Sequence, residues 1–138
     1  MFFSKKEKND DKYSLIKIGA LLIYAAKIDE NYSTEEEEII KNTLLDLKGE
    51  KDNLDELMLK AKQYEENANQ ILDFTKEVKN LEEFDKIKII KSLWKIIYSN
   101  KDVDIYESNL MRRLAGLLYI DSKTMGDIKE EIKEENLK

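Results

Sequence analysis

The sequence predicts an all-α protein, a single compact bundle of about seven helices with two related helix–loop–helix halves. Three observations lead to this fold class. The 138 residues include no proline and only four glycines, so the usual markers of strands and tight turns are missing. Apolar residues recur at helical spacing along the chain. One pattern also occurs twice: an apolar run, a short acidic loop, a capping residue, a glutamate and a second apolar run.

The two copies of this pattern span residues 21–47 and 92–118. A constant offset of 71 positions aligns them and places Asp29 on Asn100. We therefore predict two helical hairpins that pack on each other. Further pairs at the same offset are Glu36 with Glu107, Ile18 with Ile89, Leu22 with Leu93, and Ile39 with Leu110.

In the first half, each predicted helix has an apolar stripe and a recognisable start or stop. Residues 1–11 precede the first stripe and are predicted to be a mobile tail, while 12–134 form one domain. Asn53 and Glu56 have the spacing of a capping box, which marks the start of the third helix. The predicted helices of this half are 12–27, 34–48, a third from Asn53, and 68–79.

In the second half, the fifth predicted helix is the most apolar, so we place it at the centre of the bundle. Asn80 and Glu83 repeat the capping spacing at its start. The predicted helices are 81–98, 105–118 and a seventh from Ser122, with a turn at 119–121. The inward-facing residues of the fifth helix are predicted to be Phe84, Ile87, Ile90, Trp94 and Ile97.

The composition excludes several classes of function. Without cysteine or histidine there is no thiol or imidazole nucleophile and no zinc site of the usual kind. A metal ion would need oxygen ligands, which select Ca²⁺, Mg²⁺ or Mn²⁺. The net charge of −6 argues against nucleic-acid binding. No signal peptide or span of ~18 apolar residues is recognised. We expect a cytoplasmic protein, with peripheral inner-membrane association through Phe2 and Phe3 as the alternative.

The acidic loops place oxygen side chains at alternate positions, as the opening of a calcium loop does. Neither loop has the glycine at position 6 or the glutamate at position 12 of an EF-hand. Helix capping explains part of the pattern, since Ser33 and Glu36 fit a capping box and Asp104 and Glu107 occupy the same two positions. Capping does not explain Asp29. The candidate metal ligands are Asp29, Glu36, Asn100, Asp102, Asp104 and Glu107.

The second copy, LWKIIYSNKDVDIYESNLMRRLAGLLYIDSKTM, resembles the TerB-like tellurite-resistance family. The resemblance covers residues 12–128. It implies an all-helical fold with two related loops of the form Ala-Asp-Gly-x-Ile/Leu-x-x-x-Glu, and divalent-cation binding through the motif acids. Carried over, those acids are Asp29 and Glu36 in the first loop. In the second loop Asn100 replaces the Asp and Glu107 matches, while Glu30 and Lys101 replace the motif glycines.

The family also supplies a domain to some membrane-anchored J-domain co-chaperones. The resemblance therefore implies a non-enzymatic interaction module with a protein partner, in bacterial stress response or an envelope-associated complex. Reduction of tellurite would need a thiol or a redox cofactor, and the chain has no cysteine. The alternative is a divalent-cation sensor, in which carboxylates of both loops would converge. An enzyme would need a deep pocket with perturbed acids.

We expect any cation to bind weakly, with a dissociation constant of about 10⁻⁴ to 10⁻³ M, because the missing loop residues lower ligand charge and rigidity. Calorimetric titration with Ca²⁺, Mg²⁺ and Mn²⁺ measures this. Asp29→Ala should lose binding before Asn100→Ala does. Micromolar affinity abolished by Asn100→Ala would contradict the expectation and support the cation-sensor alternative.

Overall fold

A computed structural model describes residues 5–27, 33–47, 51–67, 72–99 and 105–136. These residues form seven α-helices and one 3₁₀ turn, without a strand, which confirms the predicted all-α class. None of these helices is long and apolar enough to cross a membrane. The helices are α1 (Lys5–Ala26), α2 (Thr34–Asp46), α3 (Leu54–Asn67), α4 (Leu72–Lys79), α5 (Glu83–Ser99), α6 (Ile105–Leu117) and α7 (Ser122–Asn136); the 3₁₀ turn is Lys51–Asn53.

Helix α1 is the centre around which the first five helices are arranged, because it packs against α2, α3, α4 and α5. Its closest neighbour is α3. A Cβ atom built on the buried Gly19 would lie only 2.9 Å from the Cβ of Ala61, so the two helices approach as closely as the missing side chain allows. The side chain of Leu44 on α2 also lies against this position, 3.4 Å from the built Cβ atom. The fully buried large residues on α1 include Leu21, Leu22 and Ile23.

Helix α5 connects the two parts of the bundle. It packs against α1 and α2 on one side and against α7 on the other. The sequence placed α5 at the centre, but α1 has the more extensive contacts. Trp94 on α5 is 3% exposed, which confirms its predicted burial. Buried residues of α7 that face this core are Met125, Ile128 and Ile132, as predicted.

A buried pair of hydroxyls joins the two halves. Thr43 of α2 and Ser92 of α5 lie 2.5 Å apart, Oγ1 to Oγ. Each hydroxyl is also within reach of a carbonyl oxygen one turn earlier in its own helix. One proton can therefore lie between the hydroxyls while the other is donated to a carbonyl, which leaves neither group unsatisfied. The halves pack on each other through α2 and α5, whereas their superposition stays a prediction because residues 100–104 lie outside the described ranges.

Three boundaries and orientations differ from the sequence prediction. Helix α1 begins at Lys5, so residues 5–11 of the predicted tail are helical. Phe84 is not in the core but 69% exposed, because it lies in the first turn of α5, before that helix reaches the interior. Asn80 does not cap α5; its side-chain amide donates to the carbonyl of Lys76 in the last turn of α4.

Helix α4 is attached to α1 by a charged cluster. The Glu77 carboxylate accepts hydrogen bonds from the Ser14 hydroxyl (2.9 Å) and from the Lys17 ammonium (3.0 Å). Burial acts to raise the pKa of Glu77, but these two hydrogen bonds outweigh it and the pKa is lowered. The carboxylate therefore stays ionised at neutral pH. The pair is partly exposed, so it orients α4 more than it stabilises the fold.

Candidate functional site

The first predicted acidic site contains a complete capping box. The Ser33 hydroxyl accepts from the Glu36 backbone N–H (3.1 Å), and the Glu36 carboxylate accepts from the Ser33 backbone N–H (2.9 Å). This confirms the predicted cap of α2. The glutamate side chain reaches back over the end of the helix and is completely buried. One of the two motif acids of the first loop therefore has a structural role at the start of α2.

The other candidate metal ligands lie outside the part of the chain whose side chains the structure describes. Four of them lie outside the described residues, and Glu107 lies in α6 with a side chain that is not described. Within the described ranges, no three acidic side chains come together as they do around a metal ion. Cation binding through these residues thus stays a prediction. The four are Asp29, Asn100, Asp102 and Asp104.

The acids that follow the cap are not equivalent. Glu37 accepts a hydrogen bond of 2.6 Å from the Lys62 ammonium of α3, and this bond lowers the pKa of Glu37. Glu35 and Glu38 are exposed to solvent. The run of four glutamates thus contributes one cap, one ion pair to a neighbouring helix and two solvated charges. Acids in the first turn also interact favourably with the dipole of α2.

A second notable region is the end of α6, which the sequence did not identify as functional. The N–H of Ile120 donates to the carbonyl of Ala115 (2.9 Å), and the N–H of Tyr119 donates to that of Gly116 (3.4 Å). This pair of bonds is a Schellman motif. Its left-handed position, usually a glycine, is occupied by Tyr119 with φ of 58°. Tyr119 is the sole described residue other than glycine with a positive φ.

Tyr119 and Phe84 lie at the same end of the bundle, where α6 ends and α5 begins. The Lys86 ammonium donates to the carbonyl of Leu118 (3.1 Å), which joins the two segments. Tyr119 is 71% exposed and Phe84 69% exposed. A lysine ammonium lies over each ring, Lys79 at 4.6 Å from the Tyr119 centroid and Lys88 at 4.5 Å from that of Phe84. We call Tyr119, Phe84 and these two lysines the aromatic end.

Helical periodicity did not identify the aromatic end. Helical spacing assigned Phe84 to the core stripe, since its position fits the period of the buried residues. A tyrosine in a predicted turn is unremarkable until its backbone is known to be left-handed. The one available signal was the absence of glycine from the turn after α6, at residues 118–121.

The comparisons with known proteins identify a family. The model of the family described as Tellurite resistance protein TerB matches residues 15–130. The matched range begins inside α1 and ends inside α7, so it covers nearly the whole bundle. No curated protein and no solved structure gives a match.

The capping box gives a stability prediction. Ser33→Ala removes the hydroxyl that accepts from the Glu36 N–H, and we expect it to lower the free energy of unfolding by about 1 kcal/mol. Urea unfolding followed by circular dichroism measures the change. Thr34→Ala, at the exposed neighbouring position, is the matched control and should change stability by less than about 0.5 kcal/mol. Equal effects of the two substitutions would show that the cap does not stabilise α2.

Proposed function

The chain belongs to the TerB family of tellurite resistance proteins, and on that premise we propose that it is a non-enzymatic interaction module that binds a protein partner through its aromatic end. The partner would belong to a bacterial stress-response system of the tellurite-resistance type or to an envelope-associated complex. A cytoplasmic location, including the cytoplasmic side of the inner membrane, fits this role. The observation that supports the proposal is the conformation and exposure of Tyr119.

Tyr119 is unfavourable for the folded state in two respects. A bulky residue in the left-handed conformation costs about 1–3 kcal/mol, which a glycine at the same position would avoid. Its ring is also left in solvent, where it gains little from packing. Strained residues of this kind cluster at functional sites. Because the Schellman turn needs only a residue that tolerates positive φ, the tyrosine side chain must be explained by something other than the turn.

Binding supplies that explanation. Tyrosine is among the residues that contribute most to binding energy in protein interfaces, since its ring buries a large area with few rotatable bonds. Phe84 adds a second exposed ring at the same end of the bundle. The lysines over the two rings would offer ammonium groups to carboxylates of the partner. The matching partner surface therefore has apolar pockets for the rings and acidic residues at its edge.

The substitution Tyr119→Gly tests this proposal because it separates stability from binding. Glycine relieves the left-handed strain, so the midpoint of urea unfolding should stay unchanged or rise, by an amount equivalent to about 1 kcal/mol. Partner binding should be lost. The measurement is chemical cross-linking in an extract of the organism that encodes the chain, followed by the affinity of the purified partner for wild type and variant.

Leu59→Ser is the matched control. Leu59 is another exposed apolar residue, on α3, outside the aromatic end. The substitution Leu59→Ser should leave partner affinity unchanged. A partner that binds Tyr119→Gly as tightly as wild type would contradict the assignment of this surface. A marked loss of stability in Tyr119→Gly would show instead that the ring has a structural role.

A further inference from the structure

A cleft of about 500 Å³ opens between α6 and α7, over the side of α5 that carries Trp94. Its volume is in the range typical of small-molecule sites. The buried side chains of Met111, Ile120 and Met125 form an apolar floor together with the indole of Trp94. Methionine side chains are flexible and polarizable, so this floor can adapt to an apolar ligand.

Two glycines form part of the cleft lining, Gly116 on α6 and Gly126 on α7. Each would be expected to weaken its helix by about 1 kcal/mol relative to alanine. No close packing requires them, since a Cβ built on either glycine meets no atom within 4 Å. Neither has a positive φ. Gly19 is different, because its close contact with α3 explains why a glycine is needed there. At Gly116 and Gly126, therefore, no side chain extends into the open space at the cleft.

The charges around the cleft favour an anion. Arg112 and Lys129 line it, and neither makes an ion pair with any residue that the structure describes. The lining also includes one carboxylate, Asp121, which already accepts a 2.6 Å hydrogen bond from the Thr124 N–H at the start of α7. That bond lowers the pKa of Asp121, so the carboxylate stays ionised as a helix cap. Two cations remain to interact with a ligand.

Trp94 has an unusual environment at the base of the cleft. Its Nε1–H is buried and has no hydrogen-bond acceptor among the described residues. The Lys129 ammonium lies 5.5 Å from the centre of the indole ring. Buried donors are rarely left without an acceptor, and those that are require an explanation. A ligand oxygen at the base of the cleft would supply one.

We propose that this cleft binds a small amphipathic organic anion, with its carboxylate between Arg112 and Lys129, near the Trp94 Nε1–H, and its apolar chain over the two methionines. This site is separate from the aromatic end. It takes a free small molecule, not a protein partner. The proposal stands independently of the proposed interaction function.

Trp94 is the only tryptophan in the chain, so its fluorescence reports on the cleft directly. The probe is sodium octanoate, an eight-carbon acid. The matched neutral probe is 1-octanol, which has the same chain length and no charge. We expect a saturable change in fluorescence with octanoate, confirmed by calorimetry, and at least about tenfold weaker binding of octanol because it lacks the charge for the two cations.

Variants test the two parts of the site. Gly126→Leu and Gly116→Leu place a side chain in the open space of the cleft and should abolish octanoate binding without lowering the unfolding midpoint. Arg112→Gln combined with Lys129→Gln should weaken octanoate binding about tenfold. Arg113→Gln removes the exposed neighbouring charge, which does not line the cleft, and should have no effect.

Three results would overturn the proposal. No saturable signal with octanoate, by fluorescence and by calorimetry, would show that the cleft does not bind such anions. Equal affinity for octanol and octanoate would remove the role of the two cations. Octanoate binding that survives in both leucine variants, with the fold intact, would place the site elsewhere on the molecule.

Discussion

The close approach of α1 to α3 at Gly19 is the contact on which the rest of the structure depends. Any side chain at this position would push Ala61 away and with it α3. Helix α1 packs at the same time against α2, α4 and α5, so a displacement there would be transmitted to most of the core. Protein interiors are packed as densely as organic crystals and accommodate such shifts poorly. A single missing methyl group therefore sets the spacing of the central helices.

Three successive residues in the turn after α6 have different roles. The left-handed residue of this turn, Tyr119, is directed into solvent at the aromatic end. The next residue, Ile120, is buried and lines the cleft, and the one after that, Asp121, caps α7. One side chain is thus part of an exposed surface, the next lines the cleft, and the third caps a helix. The hydrogen bonds of the Schellman motif fix the backbone of this turn and so the direction of these side chains.

Sequence periodicity predicted much of this fold because a helix with one buried face has apolar residues at regular helical spacing. The helix starts at Thr34 and Ser122, the burial of Trp94 and the capping box at Ser33 follow from local rules. Phe84 was misassigned because the same period continues into the exposed first turn of α5. The cleft and the strain at Tyr119 could not be predicted, since both depend on how distant segments pack and on a backbone angle that composition does not encode.

The stability of two alanine variants tests the central role of the contact between α1 and α3 most directly. Gly19→Ala adds a Cβ at 2.9 Å from Ala61, and overpacking of this kind lowers the free energy of unfolding by about 1–3 kcal/mol. Gly126→Ala, where the added Cβ meets nothing within 4 Å, should leave stability unchanged or raise it by up to about 1 kcal/mol. Urea unfolding of both variants gives the comparison. Equal stabilisation by the two substitutions would contradict the central role of this contact, because it would mean that a methyl group fits between α1 and α3 at Gly19.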